Sequence, residues 1–208
     1  MGLGDVNGGG FVNKFIVIEG LDATGKSTLV DKLSDLLHAT QLSCPPEIIV
    51  PSINEGPVRN HFDSLSPLQR RAYYRFSNLV ASEQVAKAIS GRYVIMDRYW
   101  TSTAAFAAMD DGFEPDIEIG QYPDEIRRPD LLILLTVNEE NRLLRLQGRG
   151  EAETKEESEL AASKIKRQKV LESYMKFNPV VIDTSNKNPD EVCQEALEVI
   201  QEAFNEQS

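Results

Sequence analysis

The stretch FIVIEGLDATGKSTLV, residues 15–30, runs five mostly apolar residues directly into a loop with two glycines, a lysine and two hydroxyl side chains. Gly20, Gly25, Lys26 and Ser27 complete the pattern G-x-x-x-x-G-K-[ST] between a strand-like run and a helical pattern. Glycines let consecutive backbone N–H groups turn inward onto phosphate oxygens, and the helix that follows aims its positive end at the same point. Lys26 then reaches the outer phosphates, the Ser27 hydroxyl ligates Mg²⁺, and Thr28 stands near the inner phosphate. The turn is built to hold a nucleoside triphosphate.

Outward from this loop, 208 residues with 41% apolar character suffice for one core, and we read 14–208 as a single domain. No apolar stretch approaches the roughly 18 to 20 residues of a membrane span. A net charge of −11 leaves little basic surface for nucleic acid, so any phosphate must meet a local cluster of cations. Cys44 and Cys193 have neither metal-ligand spacing nor the density of a disulfide scaffold, which suits buried thiols in a reducing compartment. Residues 1–13 read as a flexible tail. Their MGLGDVNGGG fits neither a transit nor a signal peptide, and Val6 occupies the place where a myristoylation signal wants Ser or Thr.

Apolar runs of strand length occur at 15–19 (FIVIE), 47–50 (EIIV), 92–97 (RYVIMD), 130–137 (DLLILLTV) and 179–183 (PVVID), separated by helix-like segments. Near-continuous runs suit strands buried on both faces, and the alternation predicts an α/β fold with a parallel sheet. Ser66-Pro67 with Gln69, and Asn188-Pro189 with Glu191, each offer an N-cap, a first-turn proline and a capping-box partner. Val192, Ala196, Val199 and Ala203 recur at helical spacing and read as a core stripe.

A P-loop alone does not say what is done with the triphosphate. Guanine-specific switches carry N-K-x-D after a strand; NKNP at 186–189 has Pro189 where the aspartate is needed. Asp97-Arg98-Tyr99 closes the third run, where a carboxylate can hold the Mg²⁺ water shell and an arginine can grip a second, accepting phosphate. Arg142, Arg145 and Arg149 precede a highly charged segment that reads as a lid bringing a cation to the transferred phosphoryl. With Ala23 in the P-loop instead of arginine, the demand on that lid is greater. These parts point to phosphoryl transfer rather than to a nucleotide-binding scaffold or a nucleotide-operated switch.

EGLDATGKST, DRYWTSTAAFA, PDLLILLTV and RLQGRG resemble the thymidylate kinase family over nearly the whole chain from residue 14, with wording most similar to its mitochondrial UMP-CMP kinases. The resemblance implies a P-loop NTPase fold with a five-stranded parallel sheet, helices on both faces and an arginine-bearing lid at about 147–158. It implies ATP with Mg²⁺ as donor, a nucleoside monophosphate as acceptor, usually a homodimer, and mitochondrial residence, with the cytoplasm as alternative. On this reading ATP meets Gly20, Leu21, Asp22, Ala23, Thr24, Gly25, Lys26, Ser27 and Thr28, with Arg145 on the adenine face. The metal meets Ser27 and Asp97. The acceptor meets Asp22, Tyr74, Phe76, Arg98, Tyr99, Ser102 and Phe106, and Lys26, Arg98 and Arg149 carry catalysis.

Two departures bear on the acceptor. Thymidylate kinases typically place a base-reading arginine four residues after a phenylalanine, and here Val80 follows Phe76. The family's arginine after the second strand is missing from IIVPSIN, leaving Arg59, Arg70 or Arg71 to hold the acceptor phosphate. Tyr73, Tyr74 or Phe76 can still stack on a pyrimidine, so the expected acceptors are UMP, CMP, dUMP and dCMP, with dTMP as the alternative.

Overall fold

The computed structural model describes residues 13–49, 61–62, 64–110, 117–149 and 155–205. Five strands form one all-parallel sheet in the order β2-β3-β1-β4-β5: β1 Lys14–Gly20, β2 Thr40–Ser43, β3 Tyr93–Asp97, β4 Leu131–Thr136 and β5 Val180–Asp183. The described helices are α1 Lys26–Leu36, α2 Pro67–Ala88, α3 Trp100–Ala107, α4 Glu139–Arg149, α5 Lys155–Ala162, α6 Lys164–Met175 and α7 Pro189–Asn205. None of them is long and apolar enough to cross a membrane.

Strand β1 lies at the centre, and its alternate side chains feed two cores. Ile16 and Ile18 pack with Leu29 and Leu33 of α1 and with Val192, Ala196 and Ile200 of α7 on one face. Phe15 and Val17 pack with Ala81 and Val85 of α2 and Trp100 and Ala104 of α3 on the other. Helices therefore cover both faces, as the continuous apolar runs require. The two predicted capping boxes are present. Ser66 Oγ accepts from Gln69 N at 3.3 Å while Gln69 Oε1 accepts from Ser66 N at 2.9 Å, and Glu191 Oε2 accepts from Asn188 N at 2.7 Å while Asn188 Oδ1 accepts from Glu191 N at 3.0 Å.

The second strand departs from expectation. It is Thr40–Ser43 and not EIIV at 47–50, whose residues 47–49 form a turn closed by a hydrogen bond from Ile49 N to Pro46 O of 2.9 Å. Pro45 and Pro46 lack the N–H groups a ladder needs, and an edge strand pairs on one side only, so a four-residue segment without a continuous apolar run suffices. The other edge behaves similarly. In β5 only Ile182 is buried, while Val180 and Val181 are 39% and 42% exposed, so burial on both faces holds for the inner strands alone.

Candidate active site

The site forms where the strands end. Ile18 of β1 lies opposite Asp97 of β3, so the P-loop and the Asp97-Arg98-Tyr99 turn leave adjacent carboxyl ends of a parallel sheet, where such folds bind ligands. Two glycines are structurally obligatory in the loop. A Cβ on Gly20 would lie 2.6 Å from Leu135 O and 2.9 Å from Thr24 Oγ1, and Gly25 takes φ 94° immediately before α1. Ala23 also adopts a left-handed backbone, at φ 62°, a conformation that costs an L-residue of order 1 kcal/mol and recurs at ligand sites.

Within the loop, Lys26 Nζ donates to Leu21 O at 2.9 Å, and Thr24 Oγ1 donates to the same carbonyl at 2.8 Å. Lys26 is buried. That burial, and secondarily the Arg98 charge, lower its pKa from 10.5 to about 8, against the opposing pull of Asp22, Asp97 and Glu19. Ser27 Oγ donates to Asp97 Oδ2 at 2.9 Å, while Asp97 Oδ1 is buried with no hydrogen-bond partner among the described residues. A hydroxyl oxygen, a carboxylate and an orphaned buried oxygen beside a phosphate loop suit a hard cation that keeps much of its water, so these two residues fit Mg²⁺. Thr28, in the first turn of α1, is exposed.

On the acceptor side, Arg98 Nη2 meets Asp22 Oδ1 at 2.7 Å, its Nη1 lies 3.4 Å from Ser102 Oγ, and its guanidinium sits 5.6 Å from the centre of the Phe106 ring. Arg98 has φ 62°, so the turn that aims it is itself left-handed. Burial works against its charge, but Asp22, then Tyr174, Asp97 and Glu19, hold its pKa above the ordinary range. Arg145 of α4 docks on the loop from the other side. Its Nη1 donates to Ala23 O at 3.1 Å and Thr184 Oγ1 at 2.9 Å, and its Nη2 donates to Thr184 O at 2.6 Å.

Of the predicted residues, the structure thus gathers Gly20 to Ser27, Asp97, Arg98, Ser102, Phe106 and Arg145 about the sheet's carboxyl end. Tyr99 and Phe76 are not gathered. The Tyr99 ring is buried in the core, edge-on to Phe15 at 5.3 Å, and only its backbone faces the site. Phe76 is 55% exposed, two residues and so about half a helical turn from Tyr74. Tyr74 packs against Phe62 and Tyr73, one turn before Asn78, whose Nδ2 donates to Thr103 of α3 at 2.8 Å.

Arg59 and the middle of the expected lid, residues 150–154, lie outside the described residues; α4 ends at Arg149, whose side chain is likewise not described. Arg71 Nε donates to Asp110 Oδ2 at 2.9 Å and Arg70 Nη2 lies 3.9 Å from Asp110 Oδ1, both side chains being buried. Arg142 pairs with Glu139 within α4, and Arg167 of α6 meets the same carboxylate at 3.1 Å, so Glu139 links the two helices.

Three residues of the site escape sequence reading. Glu19 is fully buried, and its carboxylate accepts from Tyr99 N at 2.9 Å, from Ser102 N at 3.1 Å, and from the Ser102 hydroxyl. Burial raises its pKa to about 7 against the opposing hydrogen bonds and the Arg98 charge. Tyr174, also fully buried, reaches the same Ser102 hydroxyl at 2.9 Å. Thr184 Oγ1 donates to Thr24 O at 3.1 Å and so braces the loop from β5. A carboxylate closing the apolar run FIVIE is the one signal in the sequence that could have singled out Glu19.

The sheet, the loop and the Asp97-Arg98 turn define a P-loop phosphotransferase site. The family model for thymidylate kinase matches residues 18–196, and the chain belongs to the thymidylate kinase family. Among its relatives, human "UMP-CMP kinase 2, mitochondrial" is 41% identical over 204 residues, covering 92% of this chain and 43% of the human protein. The chain therefore spans less than half the length of that relative. A thymidylate kinase of Leptospira borgpetersenii is 30% identical over 200 residues, covering 92% of this chain and 95% of its own. In fold, the chain resembles the thymidylate kinase of Candida albicans, with TM-score 0.67 and 21% identity over 92% of each chain. It also resembles a deoxyadenosine kinase of M. mycoides solved with bound dATP, with TM-score 0.61 and 15% identity over 90% of this chain and 99% of that one.

Proposed function

We propose that this chain transfers the γ-phosphoryl of ATP to a pyrimidine nucleoside monophosphate, UMP, CMP, dUMP or dCMP, giving ADP and the nucleoside diphosphate. The observation that carries this is the 2.7 Å ion pair between Asp22, inside the donor loop, and Arg98, which leaves the neighbouring strand. That pair sets a cation for a second phosphate beside the phosphate loop, as transfer between two nucleotides requires and a hydrolytic switch does not. An acceptor phosphate oxygen attacks the γ-phosphorus as the bond to the β-bridging oxygen breaks, with ADP as leaving group. Lys26 stabilises the outer phosphates, Arg98 orients the acceptor, and Arg149 supplies a further cation. Ser27 and Asp97 would hold Mg²⁺, which would supply neutralising charge to the donor phosphates.

The base preference rests on the want of a base-reading arginine four residues after any candidate aromatic of α2: Ser77, Asn78 and Val80 stand at that spacing from Tyr73, Tyr74 and Phe76. An apolar contact to the thymine methyl discriminates by only about 1 to 3 kcal/mol, far less than a polar group paired to a base edge. The name of the human relative supports UMP and CMP; that of the Leptospira relative favours dTMP as the second reading. A homodimer in the mitochondrion is the assembly and compartment suggested by resemblance to the family and to the human relative. Steady-state kcat/KM for each monophosphate at fixed ATP and Mg²⁺ tests the reading. Uracil and cytosine acceptors should match or exceed dTMP, and purine monophosphates should fail. A dTMP preference above about a hundredfold over both dUMP and dCMP exceeds what a methyl contact supplies and would establish the second reading.

A further inference from the structure

Helix α3 begins without a cap of its own. Its N-cap residue, Tyr99, makes no side-chain hydrogen bond to the first turn, and its ring is turned away into the core. The first N–H groups of a helix need acceptors, and a buried start without them is costly. Here the acceptor comes from 80 residues upstream in sequence: Glu19 Oε1 accepts from Tyr99 N at 2.9 Å and from Ser102 N at 3.1 Å. The other carboxylate oxygen accepts from the Ser102 hydroxyl, which Tyr174 of α6 meets from the opposite side at 2.9 Å.

The two gripped N–H groups follow directly on the residue that opens the acceptor side of the site. Arg98 immediately precedes Tyr99 and holds a left-handed backbone at φ 62°, which persists only when surrounding contacts over-determine it. Ser102 lies within 3.4 Å of Arg98 Nη1. A carboxylate buried at the end of the central strand thus holds Tyr99, the residue after Arg98, and Ser102, while the Ile18 carbonyl of the same strand accepts from Arg98 N at 3.1 Å.

We propose that Glu19 is a positioning residue for the acceptor monophosphate: by capping α3 from strand β1 it fixes Arg98 and Ser102 in their binding geometry, with Tyr174 holding Ser102 from α6. The inference rests on the assignment of Arg98 and Ser102 to the acceptor. Glu19 itself touches no substrate, so its loss should weaken acceptor binding while leaving the donor loop, held by Leu21, Thr24 and Thr184, nearly intact.

The test uses the full chain and reads binding apart from turnover. Trp100, the only tryptophan, lies in the capped turn, so its fluorescence, alongside calorimetry, follows titration with UMP or dCMP. Glu19→Ala is expected to raise the monophosphate Kd by at least about tenfold, with ATP affinity kept within about threefold, as displacement of a positioning contact predicts. Glu19→Gln keeps a carbonyl oxygen for the two N–H groups and should restore the monophosphate Kd to within about threefold of wild type. Tyr174→Phe should weaken the monophosphate about threefold without affecting ATP, and it carries the test if Glu19→Ala fails to fold. A folded Glu19→Ala chain with unchanged monophosphate affinity, a Glu19→Gln chain as weak as Glu19→Ala, or an unaffected Tyr174→Phe chain would each overturn the inference. A wild-type chain that binds ATP and no monophosphate overturns the acceptor assignment itself, a result readily told apart from the others.

Discussion

Arg98 Nη2 lies 2.7 Å from Asp22 Oδ1, with the two side chains 23% and 19% exposed, so a residue inside the phosphate loop holds the residue assigned to the acceptor. Partial burial makes this pair more than a surface contact. Asp22→Asn keeps the size of the side chain and removes its charge, which frees the Arg98 guanidinium to swing. We expect the acceptor KM to rise about tenfold and by more than the ATP KM. Equal losses for both substrates in steady-state kinetics would contradict the assignment.

Lys26 titrates at about 8 in the free protein because burial disfavours its charge. Polyphosphate oxygens beside it will favour the protonated form, so ATP binding draws a proton from solvent around pH 8. Calorimetry in two buffers of different ionisation enthalpy should show uptake of about half a proton at pH 8, falling toward zero by pH 6.5. Lys26→Ala should fold normally, abolish transfer and lose the uptake. Uptake that persists in the variant would place the titrating group elsewhere.

Glu19 carries the opposite linkage. Its folded pKa of about 7 exceeds the ordinary 4.5, so the folded chain holds the proton more tightly than the unfolded one. Protons bound in excess by the folded state make stability fall as pH rises, here from about 4.5 to about 7, by up to ~3 kcal/mol. Glu19→Gln removes that titration. Its melting temperature relative to wild type should therefore increase between pH 5 and pH 8, and a difference that does not vary with pH would show that Glu19 stays ionised throughout.

Arg149 closes α4 at the edge of the charged segment, and its assigned role is to meet charge that develops on the transferred phosphoryl. A contact made mainly in the transition state lowers kcat without weakening ground-state binding. Arg149→Ala should reduce kcat by ~10²-fold or more with a modest change in ATP KM. An effect confined to KM would remove Arg149 from catalysis.

Most of the framework was legible from the chain alone, because its signals are local. G-x-x-x-x-G-K-S after an apolar run, four of the five strands, both capping boxes and the α7 stripe each sit within a few residues that must satisfy their own backbone or bury their own face. The second strand was not legible. At a sheet edge the ladder needs neither length nor a continuous apolar run, and Thr40–Ser43 offers neither, whereas EIIV does but follows two prolines.

The finer assignment of the site belongs to tertiary structure. Tyr74 and Phe76 are alike in sequence, yet α2 has only one inner face; Asn78 anchors that face to Thr103, and Phe76 falls outside it. Arg70 and Arg71 look available for a phosphate until folding brings Asp110 to them. Glu19 looks like the polar end of a strand until Tyr99 and Ser102 arrive, more than 80 positions later in the case of Ser102, and make it a helix cap. Sequence alone determined that the chain carries a phosphate loop, since that loop and the two capping boxes are written in neighbouring residues. Which side chains stand together at the acceptor was decided only by the fold, because a buried charge takes its meaning from partners that no local pattern names.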